Sequence, residues 1–218
     1  MGTADWFRSL CLICLMAGCA ACGASGQFQA GRQALLANDP ERALAYFLEA
    51  AQGDPEYIYR SMLFSQGIWT YVGRTQYATG RLQEAGQSLE RAIALDKDDN
   101  LAKLYLGLTV ARSGDFSRGL KNIESGMRGL YDWLEYINRS RPFEGYWDPS
   151  REIRNAIDND LAAISGGDYS REQIIPDGEW VGQMMENEID RARRDERRQF
   201  ERDFERRRGL SVGVGIGF

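Results

Sequence analysis

The sequence predicts an all-α fold: a stacked helix-turn-helix solenoid of about three units with a C-terminal helical extension. Three observations predict it. Gly31, Asn38, Ala43, Phe47 and Ala50 recur at the same offsets as Gly73, Gly80, Ala85, Leu89 and Ala92, and again as Gly107, Gly114, Gly119, Ile123 and Gly126. The second and third sets stand 34 residues apart, an interval at which a helical hairpin stacks on copies of itself. Apolar residues also return at three- and four-residue steps on both sides of each short polar break, the spacing of amphipathic helices.

Composition narrows the function. With 43% hydrophobic residues in 218, the chain has enough apolar side chains for a core. Its net charge is -5 with acids and bases interleaved, so no nucleic-acid footprint is expected. It has no histidine, which removes Ser-His-Asp and Cys-His nucleophiles and the easiest general base near neutral pH. The acid pairs Asp158/Asp160 and Glu186/Glu188 are two apart on helices, so each pair points to two faces and forms no convergent acid-base site. A cell-wall hydrolase is thus a disfavoured alternative, and no enzyme activity, metal or other cofactor is expected.

The elements follow in order. Residues 1–18 read as an export signal, with Arg8 ahead of an apolar run from Leu10 to Ala17, a run too short to span a bilayer as a mature helix. All four cysteines, Cys11, Cys14, Cys19 and Cys22, lie in this leading stretch as two C-x-x-C pairs. The residues between them are apolar and no further soft ligand follows, which argues against a metal site. Met16-Ala17-Gly18-Cys19 resembles the lipobox of bacterial lipoproteins. That resemblance implies lipidation of Cys19, with Cys22 as the alternative acceptor, and residues 19–23 as an anchor and short linker. Ala20 after the anchor looks like the default for outer-membrane sorting, so the mature chain is expected on the outer membrane, facing the periplasm.

Residues 24–138 form the expected repeat domain. Asn38-Asp39-Pro40 and Gly53-Asp54-Pro55 are turn signals in which aspartate caps and proline opens a helix. Gly31, Gly73 and Gly107 let paired helices approach, while Phe47, Leu89 and Ile123 fill the space between. The 42-residue step from Gly31 to Gly73 is eight longer than the repeat. Tyr57, Ile58, Met62 and Leu63 keep helical spacing there, so the first helix of the second unit is expected to be longer by about two turns, with a loop insertion as the alternative. Gly119 and Gly126 stand where alanine is expected, at about 0.5–1 kcal/mol each, which makes the third unit the softest. Its apolar stripe continues through Leu130, Leu134 and Ile137, so its last helix should run to about Asn138.

Trp69-Thr70-Tyr71-Val72-Gly73 is close to the Trp-x-x-Leu-Gly opening of the tetratricopeptide repeat, and with the recurring small residues the region resembles that family. Lys97 departs from it where a closing proline is usual. The resemblance implies a concave groove lined by the first helix of each unit, here Phe28, Arg32 and Leu35, then Thr70, Arg74 and Tyr77, then Leu101, Leu104, Leu108 and Arg112. An unidentified protein or peptide is the partner it implies, with the arginines available to a carboxylate, and the protein is then a membrane-anchored scaffold in envelope assembly.

Residues 139–168 read as a helical cap and connector, with Phe143, Tyr146 and Trp147 as packing and a helix opened by Asp148 or Ser150 that carries Ile153, Ile157, Leu161 and Ile164. Residues 169–208 read as a long charged helix in which nine arginines and six acids alternate between Asp190 and Arg208. Residues 209–218 alternate apolar with small side chains, a two-residue period that suits a strand. In the alternative reading the chain is a structural tether whose arginine-rich helix and final strand bind the partner.

Overall fold

The structure, a computed structural model, describes residues 23–61, 63–140 and 147–213; the stretch expected to be an export signal, and Cys19, lie outside them. It is all-α apart from one short hairpin. The elements are α1 (Gly23–Leu36), α2 (Pro40–Gly53), β1 (Ile58–Ser61), β2 (Phe64–Gly67), α3 (Ile68–Ala78), α4 (Leu82–Leu95), α5 (Asn100–Arg112), α6 (Phe116–Ser140), α7 (Glu152–Gly166) and α8 (Arg171–Gly213). They fall into two compact units. The first comprises residues up to Tyr59 with Gln66–Ile123; the second comprises Arg60–Ser65 with Glu124 onward.

In the first unit each recurring position has a physical reason. Asn38, Gly80 and Gly114 all take positive φ, at 58°, 76° and 111°, the left-handed conformation that closes a helix and that glycine and asparagine reach at least cost. The next amide reaches back six residues inclusive in each case: Asp39 N to Ala34 O, Arg81 N to Gln76 O, and Asp115 N to Val110 O. Asp39 and Asp115 then cap the following helix by accepting from the Arg42 and Arg118 amides. The leading glycines mark close approach. A Cβ on Gly31 would stand 2.6 Å from the Phe47 ring, and one on Gly73 would stand 2.5 Å from Leu89 Cγ. In the third pair the neighbour is backbone: a Cβ on Gly107 would lie 2.5 Å from the Ile123 nitrogen, and one on Gly119 would lie 2.6 Å from the Ala111 nitrogen. Gly119 replaces the expected alanine because α5 and α6 leave no room for a methyl group.

The extra eight residues are a hairpin and not a longer helix. β1 alternates, with Ile58 and Arg60 outward and Tyr59 and Ser61 buried. That two-residue period competes with the helical spacing of Tyr57, Ile58 and Leu63, and tertiary contact decides between them: Tyr59 stacks on Phe28 at 5.0 Å within a cluster that includes Phe47 and Tyr71.

In the second unit α6 continues its buried stripe through Met127, Leu130, Leu134 and Ile137. Trp147 is buried edge-on to Trp133 at 4.8 Å and beside Phe64 at 6.1 Å, the packing expected of the connector; Phe143 and Tyr146 lie outside the described residues. Asp148 opens α7, its carboxylate accepting from the Ile153 and Arg154 amides. α8 runs from Arg171 to Gly213, so residues 209–213 are helical where alternation suggested a strand. Extending an existing helix needs no new nucleus, whereas a lone strand leaves its backbone groups unpaired. Residues 214–218 of that expected strand lie outside the described residues.

Candidate functional site

The residues expected to line a groove sit mostly inside. Phe28, Arg32, Thr70, Arg74, Tyr77, Leu101, Leu104 and Leu108 are buried, Leu35 is half-buried, and Arg112 is exposed. The three leucines therefore behave as core in this chain, and an aspartate at Leu104 would test folding before it tested binding.

The arginines are placed by aromatic rings. Arg32 lies 4.9 Å from the Tyr59 ring centre and donates to the Tyr59 hydroxyl at 3.2 Å. Arg74 stands 4.9 Å from Tyr105 and 5.7 Å from Tyr71, and Arg112 stands 4.9 Å from Tyr77. Tyr77 meets Tyr105 edge-on at 5.7 Å. The result is a ladder of guanidinium groups and tyrosine rings, in which the ring quadrupole offsets part of the lost hydration. Thr70 is also committed, donating to Asp99 Oδ2 at 2.5 Å while the Ala102 amide donates to Asp99 Oδ1 at 2.8 Å. Burial pushes Asp99 above the ordinary carboxylate range, and those hydrogen bonds oppose the shift. The sequence reading missed Tyr59, Tyr105 and Asp99. Alternation at Tyr57, Tyr59 and Ser61 signals the first; Asp99 ahead of an apolar helix signals a cap.

The acid pairs named from sequence separate, as their spacing requires: Asp160 and Glu186 are buried, Asp158 is exposed, and Glu188 is half-buried. Structure instead brings Asp160 of α7 to Asp177 of α8. Asp160 Oδ2 is buried with no donor, and burial, then the facing Asp177 carboxylate, push Asp160 up to about 7. Its ordinary value is 3.8. Between these values the folded chain holds a proton that the unfolded chain has released. This contribution is full below about pH 4, is lost as pH rises towards 7, and leaves a level penalty above. Asp160→Asn is expected to flatten this fall and to stabilise the protein by about 2 kcal/mol at pH 8, measured by urea denaturation from pH 5 to pH 8. An unchanged pH slope would exclude the carboxyl pair as its source.

A second accessible region is the distal part of α8. Phe200 and Phe204 are 72% and 54% exposed, one helical turn apart on one side of the helix. Arg191 and Glu188 are joined at 2.5 Å, and Arg194 and Arg198 pair with Asp190 and Asp195 on the preceding turns. Among the described residues, no helix is long and apolar enough to cross a membrane.

A scan against models of known protein families finds no match, and a search of curated proteins finds no relative.

Proposed function

We propose that the chain is a non-enzymatic adaptor of the bacterial cell envelope, lipid-anchored through Cys19 and holding a protein partner on a tetratricopeptide-like stack. One observation carries the binding part of this reading. The same left-handed turn and the same glycine-against-apolar contact occur in three successive helix pairs, and stacked hairpins of this kind build extended binding surfaces. The anchor rests on Met16-Ala17-Gly18-Cys19, and two or more acyl chains hold a protein on a bilayer stably. Of the groove positions, Arg112 and Leu35 are accessible enough to meet a partner.

The experiment has two arms. Fatty-acid labelling is expected in the wild type and absent in Cys19→Ser, with processing blocked by globomycin. Photo-crosslinkers placed at Leu35 and Arg112 are expected to give one shared adduct in cells, weakened severalfold by Arg112→Glu at unchanged helicity. An unlabelled wild type overturns the anchor; no adduct at either position overturns the stack as the binding surface. The tether reading is favoured by exposed Phe200 and Phe204, and an adduct formed only from α8 would support it.

A further inference from the structure

We propose that Asp160 of α7 and Asp177 of α8 form an acid-engaged latch, which fastens the first two turns of α8 to α7 and releases them as pH rises. The first observation is the contact. Asp160 is 3% exposed, and its Oδ2 is buried with no hydrogen-bond donor. Protonated, the side chain donates to the facing Asp177 carboxylate and so ties the two helices together. Ionised, it sets one negative charge against another in a place where no donor reaches that oxygen. The neighbouring side chains do not relieve this. One turn from Asp160, α7 carries Ala156, Ile157, Ala163 and Ile164; one turn from Asp177, α8 carries Gln173, Ile174, Trp180 and Val181. From α6, Tyr131 and Glu135 reach α7, where they engage Asp158, Arg151 and Arg154. Among the described residues, Asp177 is the charged group that acts on Asp160.

The second observation is the construction of the latched segment. Ile174 and Ile175 are buried, so the segment is packed while it is fastened. Its backbone is tied less firmly: the Gln173 and Ile174 amides reach the Ser170 carbonyl at 3.3 and 3.0 Å, and Pro176 then interrupts the ladder because it has no amide to donate to Glu172. Gly178, directly after Asp177, adds backbone freedom. Residues 171–178 can therefore leave α7 while the rest of α8 stays helical. The direction follows from the proton. Asp160 ordinarily ionises at 3.8 and is here pushed up to about 7, by burial first and then by Asp177. The fastened segment holds the proton and the released segment gives it up, so the latch is fully engaged below about pH 4, weakens as pH rises towards 7, and changes little above. This loosening is local to residues 171–178 and precedes global unfolding. It depends neither on lipidation of Cys19 nor on a partner.

The test is native-state hydrogen exchange of the full chain at pH 5 and pH 7, read on peptides by mass spectrometry and corrected for the intrinsic exchange rate. In the wild type, protection of the amides from Ile174 to Trp180 is expected to fall at least tenfold between the two pH values, while that of α6 from Leu130 to Ile137 stays constant. Asp160→Asn keeps a neutral donor facing Asp177, and Asp177→Asn supplies one to Asp160. Each is expected to hold protection of the α8 segment constant over the same range, and loss of the fall in either variant supports the latch. Constant protection in the wild type, the same fall in both variants, or an equal fall throughout α6 overturns it.

Discussion

Gly107→Ala is expected to destabilise the first unit by about 3 kcal/mol, although alanine is the better helix former by about 1 kcal/mol. The methyl carbon would lie 2.5 Å from the Ile123 nitrogen and 2.7 Å from the Gly119 oxygen. Both are backbone atoms of α6, so no side chain can rotate away. The helices must separate, and that loosens Leu104, Leu108 and Ile123, which are fully buried. Gly86→Ala is the matched control on α4, where the new methyl would meet only Thr109 Cγ2 at 4.0 Å. There the helix preference acts unopposed, and a gain of about 0.5–1 kcal/mol is expected. Thermal melting of the two variants decides: opposite signs support backbone contact in the third pair, and a stabilised Gly107→Ala excludes it.

Arg154→Ala is expected to cost the second unit about 3–5 kcal/mol, the usual loss when one partner of a buried ion pair is removed. Arg154 is buried, and its Nε donates to Asp148 Oδ2 at 3.1 Å, its Nη2 to the Asp148 carbonyl at 2.7 Å and its Nη1 to Glu135 at 2.8 Å. Hydrogen bonding from Arg154 holds Glu135 below its ordinary range. Asp148 is itself buried, at φ 48°, with its amide donating to Glu188 at 3.1 Å. Removing the guanidinium leaves the buried Asp148 carboxylate with the Ile153 and Arg154 amides but without its ion-pair partner, and loosens the start of α7. Arg151→Ala is the comparison, because Arg151 also reaches Glu135, at 3.0 Å, but from an exposed position. Its melting temperature should stay near that of the wild type. Equal losses in the two variants would show that burial of Arg154 does not set its role.

The turns of the first unit were legible because their cause is local. Asn38, Gly80 and Gly114 recur where the chain must enter left-handed space, and that demand appears in residue type whatever packs around it. The stripe from Ile123 to Ile137 was legible for the same reason, since helical period is a property of one segment. Gly119 is a weakness on helix propensity alone, and only the approach of α5 to α6 explains it.

The remaining features depend on what lies across from a residue. Tyr57, Ile58 and Leu63 fit a helix by spacing, yet Tyr59 is held in a strand by Phe28, 31 positions earlier in the chain. The leucines of α5 are apolar on every reading, but which apolar face is covered is settled by neighbours that periodicity does not name. Sequence pairs Asp160 with Asp158, two residues away, whereas its carboxyl faces that of Asp177 only because α7 meets α8. Residue order therefore decided where helices begin, turn and end, because those are short-range demands of backbone geometry. Burial, charge pairing and the choice between helix and strand at Ile58–Gly67 were decided by tertiary structure, because they are energies of contact between distant segments.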